Sequence, residues 1–140
     1  MVDPVREFIR AFNERDLDAF VAVLDPEVEL HASRGLRKGP KAARVWATRK
    51  QGGVQQAIEL EELYEEGTEG GAGRAVALIK RRWHWEEDES EAGVDEMAWF
   101  FELRNHKILS WRPYDDRDEA LRAGHFARPD GDSASFRSAP

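Results

Sequence analysis

MAWFFELRNHKILSWRPYDDRDEALRAG, residues 97–124, holds two strands, the turn between them and a closing helix. Met97, Trp99, Phe101 and Leu103 fall on one face of a strand over 94–104, and Ala98 and Phe100 fall on the other. Asn105-His106 marks the turn, because Asn tolerates the left-handed backbone that a tight hairpin needs. A second strand runs over 107–114, and Asp116 then caps a helix in a capping-box pattern with Glu119, closed by Gly124. The strand upstream, from Arg74 to Glu86, alternates in the same way. Ala75, Ala77, Ile79, Arg81, Trp83 and Trp85 share one face, opposite Val76, Leu78, Lys80, Arg82 and His84. Apolar side chains on both faces predict a sheet covered on both sides. Helices account for one cover, and a second copy of the chain, a homodimer through the outer sheet face, for the other.

Working outward, residues 54–66 alternate Ile58, Leu60 and Tyr64 with Glu59, Glu61 and Glu65, the pattern of a half-buried strand. GTEGGAG (67–73) is a turn, since four Gly in seven positions do not make an element interior. At the start of the chain Asp3 is an N-cap, Pro4 suits the first helical position, and Val5, Phe8, Ile9 and Phe12 form one apolar stripe. Asp16 caps a short second helix with Leu17, Phe20, Val21 and Leu24 on its stripe, ended by Pro26. Val28-Glu29-Leu30-His31 is a short strand; a loop through Gly35 and Gly39 leads to a third helix opened by Pro40 and carrying Ala43, Val45 and Trp46. Helices first and a strand meander later predict an α+β domain over 1–126, followed by a small, polar and disordered tail over 127–140.

At 140 residues, 35% of them charged and with a formal net charge of −7, the chain suits one domain with one core. The acidic balance argues against nucleic acid, which needs a basic footprint. No apolar run approaches the roughly 18–20 residues of a membrane span, and the N-terminus shows no apolar segment of the secretory type. The absence of Cys removes disulfides, thiolate ligands and cysteine nucleophiles, and fits a cytoplasmic protein.

The opening VREFIRAFNERDLDAFVAVLDPEVEL and the close FELRNHKILSWRPYDDRDEALRAG together resemble the SnoaL-like, polyketide cyclase-like branch of the nuclear-transport-factor-2-like superfamily. The resemblance spans roughly residues 4–125. It implies a cone: a bent antiparallel sheet wrapped around the N-terminal helices (a cystatin-like α+β barrel), with a pocket inside and a dimer through the convex face. It also implies positions for chemistry. Ketosteroid isomerase-like members need a Tyr on the first helix, an Asp on the first strand and a second acid on the penultimate strand, where this chain has Phe8, Leu30 and Trp99. Limonene epoxide hydrolase-like members close on W-R-D-Y-x-D with the third residue as base; here Trp111-Arg112-Pro113-Tyr114-Asp115-Asp116 puts Pro113 there, with Asp115 two residues on along the same face. Many SnoaL-like cyclases place a His where Trp99 stands. None of these acid–base sets is matched.

The remaining candidates follow from residue chemistry. His31 is the best general base, because imidazole titrates near neutrality; His84, His106 and His125 are structural or exposed, and no two His sit at metal-ligand spacing within one element. Arg81, on an inward face with Ile79 and Trp83, is either a rim ion pair with Glu29 or Asp115 or an anchor for a ligand oxygen. Trp46, Trp83, Trp99, Phe101 and Trp111, with Phe8 on the first helix, either fill the cone or wall an apolar pocket for a flat ligand. Residues 34–50 hold seven Lys/Arg and no acid, a solvated face able to steer an anion. No sequence pattern requires a metal or other cofactor. Two readings result: a domain binding a small apolar or aromatic molecule, with Arg81, His31 and Asp115 supplying any lyase, isomerase or cyclase chemistry; or a non-catalytic dimeric interaction domain whose cone is filled by its own side chains.

Overall fold

Asp3 starts the fold. Its carboxylate accepts from the backbone N–H of Val5 at 3.0 Å, and Pro4 occupies the first turn of α1, Pro4–Glu14. Val5, Phe8, Ile9, Ala11 and Phe12 on that helix are buried. Arg15 ends it in the left-handed conformation, at φ 57°. Asp16 then caps α2, Leu17–Ala22, accepting from Ala19 N–H at 3.2 Å. The computed structural model describes residues 3–32, 35–48, 54–67, 71–85, 87–88 and 90–126; the expected tail over 127–140 lies outside them.

The next element differs from the sequence expectation. Leu24 does not extend α2 and Pro26 does not end it: both belong to β1, Leu24–Ala32. The Ile108 N–H donates to Val23 O at 2.7 Å, drawing the chain into the sheet one residue after the helix. Pro26 is tolerated because the ladder to β6 shifts between Leu24 and Glu29, so its missing N–H falls in a bulge. The expected loop after β1 contains a further strand, β2, Gly35–Lys38, paired antiparallel with β1. It is short and mostly exposed at the sheet edge, and so lacks the apolar alternation that marks a strand. Helix α3, Gly39–Thr48, buries Ala43 and Ala47.

Four longer strands follow: β3 Val54–Glu66, β4 Gly73–Trp85, β5 Glu91–Arg104 and β6 Lys107–Tyr114. Asn105 and His106 turn the last hairpin with φ of 54° and 61°, the paired left-handed geometry of a tight hairpin turn. The sheet order is β2-β1-β6-β5-β4-β3, antiparallel except for the parallel β1–β6 pair, so the sheet is mixed and curls without closing into a barrel. Asn13 ties α1 to the β3 edge, its side-chain amide donating to Ile58 O at 2.8 Å and accepting from Ile58 N at 2.7 Å.

The alternation expected in β4 and β5 is what the fold uses. Ala75, Ala77, Ile79, Met97, Trp99, Phe101 and Leu103 join α1 and β1 in the main core, while Val76, Leu78 and Ala98 form a second cluster on the outer face. In β3 the alternation breaks. A bulge between Leu60 and Glu62 sends Leu63 inward and Tyr64 to the outer cluster, away from Ile58.

The outer apolar residues that suggest a second copy in the sequence have a nearer cover in the same chain. Helix α4, Arg117–Ala123, lays Ala120 and Leu121 over Val76, Leu78 and Ala98. Arg117 anchors it, donating to Ile79 O at 2.7 Å and Met97 O at 3.2 Å and pairing with Glu61 at the bulge. Arg117→Met is expected to cost about 2 kcal/mol, the scale of hydrogen bonds involving a charged group. Hydrogen exchange should show α4 amides losing protection while those of α1 keep theirs; retained α4 protection would show that Leu121 alone docks the helix.

Candidate functional site

The interior of the curled sheet is filled at its base and open at its mouth. Phe8, Phe20 and Phe101 are fully buried and in ring contact, with Phe8 at 4.8 Å from Phe20 and 5.2 Å from Phe101. Above this floor Trp99 meets Phe8 edge-on at 5.9 Å and Trp111 at 5.3 Å and 81°. Trp46, from α3, leans on Trp111 at 4.9 Å and on Phe12 at 5.6 Å. A cleft of about 450 Å³ opens over these rings, lined by Trp46, Trp83, Trp99 and Trp111, with Phe12, Met97 and Pro113 between them and Gln56, Arg81 and Asp115 as its polar groups.

Strand register explains who lines it. Gln56 faces Trp83, and Trp83 and Arg81 stand two residues apart on the inner face of β4. Trp111 and Pro113 alternate along β6 opposite Phe101 and Trp99, and Asp115 continues that face just past the strand end. The same-face placement of Asp115 expected from the sequence therefore holds, as does the inward face of Arg81.

Arg81 takes neither of its expected partners. Its Nη2 and Nε donate to Asp95 Oδ2 at 2.8 and 3.2 Å, because Asp95 is its cross-strand neighbour in β5; Glu29 and Asp115 are not involved. Trp83 Nε1 donates to the same oxygen at 3.0 Å, and the guanidinium lies 4.8 Å from the Trp83 ring centroid. The Trp83 N–H first, and then the Arg81 hydrogen bonds, hold the Asp95 carboxyl below the usual carboxylate range. Among the described residues no ion pair engages Asp115, which is exposed at the mouth. Trp111 is 4% exposed and its indole N–H is buried with no hydrogen-bond acceptor among the described residues.

The candidates divide accordingly. Trp46, Trp83, Trp99, Trp111, Arg81 and Asp115 converge on the cleft, while Phe8 and Phe101 form its floor without lining it. His31 does not reach it. It alternates with the buried Val28 and Leu30 along β1, and so faces the other side of the sheet, where its Nε2 lies 3.8 Å from Glu29 Oε1. Gln56, Asp95 and Met97 are site residues that the sequence reading does not single out. Gln56 is two residues before Ile58 on the inner face, so the alternation already noted for β3 reaches it.

Residues 5–111 match the model of the SnoaL-like domain family, three-quarters of the chain. The chain belongs to that family. Solved structures agree with this SnoaL-like fold. An LEH-like epoxide hydrolase from M. tuberculosis aligns with TM-score 0.64 at 16% identity, over 87% of this chain and 82% of that one. A putative polyketide cyclase from Pseudomonas putida aligns with TM-score 0.65 at 19% identity, over 87% and 97%. An NTF2-like protein of unknown function from Burkholderia pseudomallei aligns with TM-score 0.64 at 21% identity, over 89% and 98%. No curated protein matches the chain. In this SnoaL-like domain the positions that the resemblance assigns to acids and bases carry no titratable group: Trp99 and Pro113 line the cleft, and Phe8 and Leu30 are buried in the core. No helix among the described residues is long and apolar enough to cross a membrane.

Proposed function

We propose that this SnoaL-like domain binds a small apolar or aromatic molecule in the tryptophan cleft. The carrying observation is the set of four indoles, Trp46, Trp83, Trp99 and Trp111, around one opening whose floor is closed by phenylalanines. Apolar walls with a few convergent polar groups are the usual build of a small-molecule site, and each indole offers a flat surface to a flat ligand. Gln56 supplies orientation for a ligand that carries an oxygen.

Binding is favoured over turnover. Proton transfer needs a positioned acid or base, and Asp115 is the one carboxylate among the lining residues. Any lyase, isomerase or cyclase step would run from Asp115 as base, with Arg81 facing the developing anion; the hold of Asp95 on Arg81 weakens that second role. The filled floor supports the alternative of an interaction domain only for the lower half of the cone.

Titration of the protein with a panel of aromatic and terpenoid-like molecules, followed by tryptophan fluorescence, tests the reading. The expected result is saturable quenching by at least one member that is lost in Trp83→Ala with the circular dichroism spectrum retained. Silence across the panel would overturn it in favour of the interaction domain.

A further inference from the structure

The cleft holds four indoles and two charged side chains, Arg81 and Asp115, and the two charges are not equivalent. Arg81 is held at two of its nitrogens by Asp95 and lies against the Trp83 ring, so its charge is matched before any ligand arrives. Asp115 has no ion pair among the described residues. Counting Arg81, Asp95 and Asp115 together leaves one negative charge at the mouth. Among the described basic residues of the adjoining segment, Arg44 is paired with Asp18 at 3.0 Å and Lys38 lies 3.8 Å from Glu29, while Arg37 sits by Trp46 in a neighbouring groove; none of them lines the cleft.

Indole faces attract cations through the ring quadrupole, and quaternary ammonium groups are the ligands that boxes of such rings recognise. The wall shows this preference in its own packing, since the Arg81 guanidinium sits 4.8 Å from the Trp83 centroid. Trp99 packs on Trp111 at 81° and Trp46 on Trp111 at 52°, ring against ring, and Trp99 and Trp111 are almost fully buried, so the indoles that offer surface at the mouth are the half-buried Trp46 and Trp83. The net charge of −7 adds a field that draws cations toward the protein.

We propose that the ligand of this cleft carries a compact alkylammonium group, seated against the half-buried Trp46 and Trp83 at the mouth with Asp115 as counter-charge. The proposal rests on the binding reading above and narrows it from apolar molecules in general to organic cations with an apolar shell. It reverses the ligand charge that Arg81 suggests from sequence alone, because the Asp95 partnership is invisible there.

Calorimetric titration of the full chain with three molecules of one shape decides it: choline, its neutral carbon isostere 3,3-dimethylbutan-1-ol, and the anion 3,3-dimethylbutanoate. Choline is expected to bind at least about tenfold more tightly than the neutral isostere, and the anion most weakly. In Asp115→Asn the choline-to-neutral ratio should fall toward one. In Asp95→Asn, which releases Arg81, the anion should gain on choline. Equal affinities for choline and the alcohol, or a preference for the anion, would overturn the cation assignment while leaving the cleft a binding site. Silence of all three overturns it as well, and the aromatic panel then decides separately whether the cleft binds anything.

Discussion

Arg104→Leu is expected to lower stability by about 3 kcal/mol at pH 7, because it strands the buried Asp25 carboxylate without its counter-ion. Asp25 is 2% exposed at the start of β1, 79 residues from Arg104 at the end of β5. Arg104 Nη2 and Nε donate to its two oxygens at 2.7 and 3.1 Å, and the Glu27 N–H donates at 2.8 Å. The Arg104 hydrogen bonds first, then the Glu27 N–H, hold this carboxyl below its ordinary value of 3.8. The sign follows. A carboxyl whose folded pKa is depressed adds stability above its unfolded pKa, and that contribution fades as pH falls through the folded value. Urea midpoints for the two proteins should therefore differ most at pH 6–8, and the gap should narrow below about pH 4 as Asp25 protonates. A gap constant from pH 7 to pH 3 would assign the loss to the packing of the Arg104 stem instead.

The pair also shows why some of the molecule is legible in the sequence and some is not. Caps are local: Asp3 accepts from Val5 and Asp116 from Asp118, each within three residues, so α1 and α4 can be placed from a few letters. Alternation is nearly local, and it assigns both faces of β4 and β5. Register is not local. Arg81 meets Asp95, Arg104 meets Asp25 and Asn13 meets Ile58 only after strands have paired or a helix has docked, and no spacing in the chain announces any of them. The errors arise where a local pattern runs on past its element. Leu24 continues the stripe of α2 and yet opens β1, and Tyr64 keeps the beat of Ile58 and Leu60 after the bulge at Glu61 has reversed it. His31 fails for a related reason. It is near the mouth in sequence terms, but strand parity puts it on the far side of the sheet from Leu30, and parity mattered more than proximity.

The tryptophans, equal candidates by composition, should separate into two kinds on mutation. Trp99→Ala is expected to cost about 3–5 kcal/mol, the range for removing a large aromatic from a close-packed core. The ring is 3% exposed and touches Phe8, Phe12, Phe101 and Trp111, with centroids 5.3–6.4 Å away, so its loss opens a void between the cleft and the phenylalanine floor. Trp83 is only half-buried, at the rim, and its contacts are the Asp95 carboxylate and the Arg81 guanidinium rather than the core. Trp83→Ala should cost on the order of 1 kcal/mol, leaving a folded protein whose cleft has lost one wall. Thermal unfolding monitored by circular dichroism separates the two: a large fall in midpoint for Trp99→Ala and a small one for Trp83→Ala. Equal falls would mean that Trp83 is core and that the cleft has no rim to hold a ligand. A small fall for both would mean that the rings are looser than their contacts imply, with room for the phenylalanines to close over the gap. The expected split is also the reason that Trp83, and not Trp99, is the variant on which ligand binding should be judged, since a loss of quenching in a protein still folded can come only from the site.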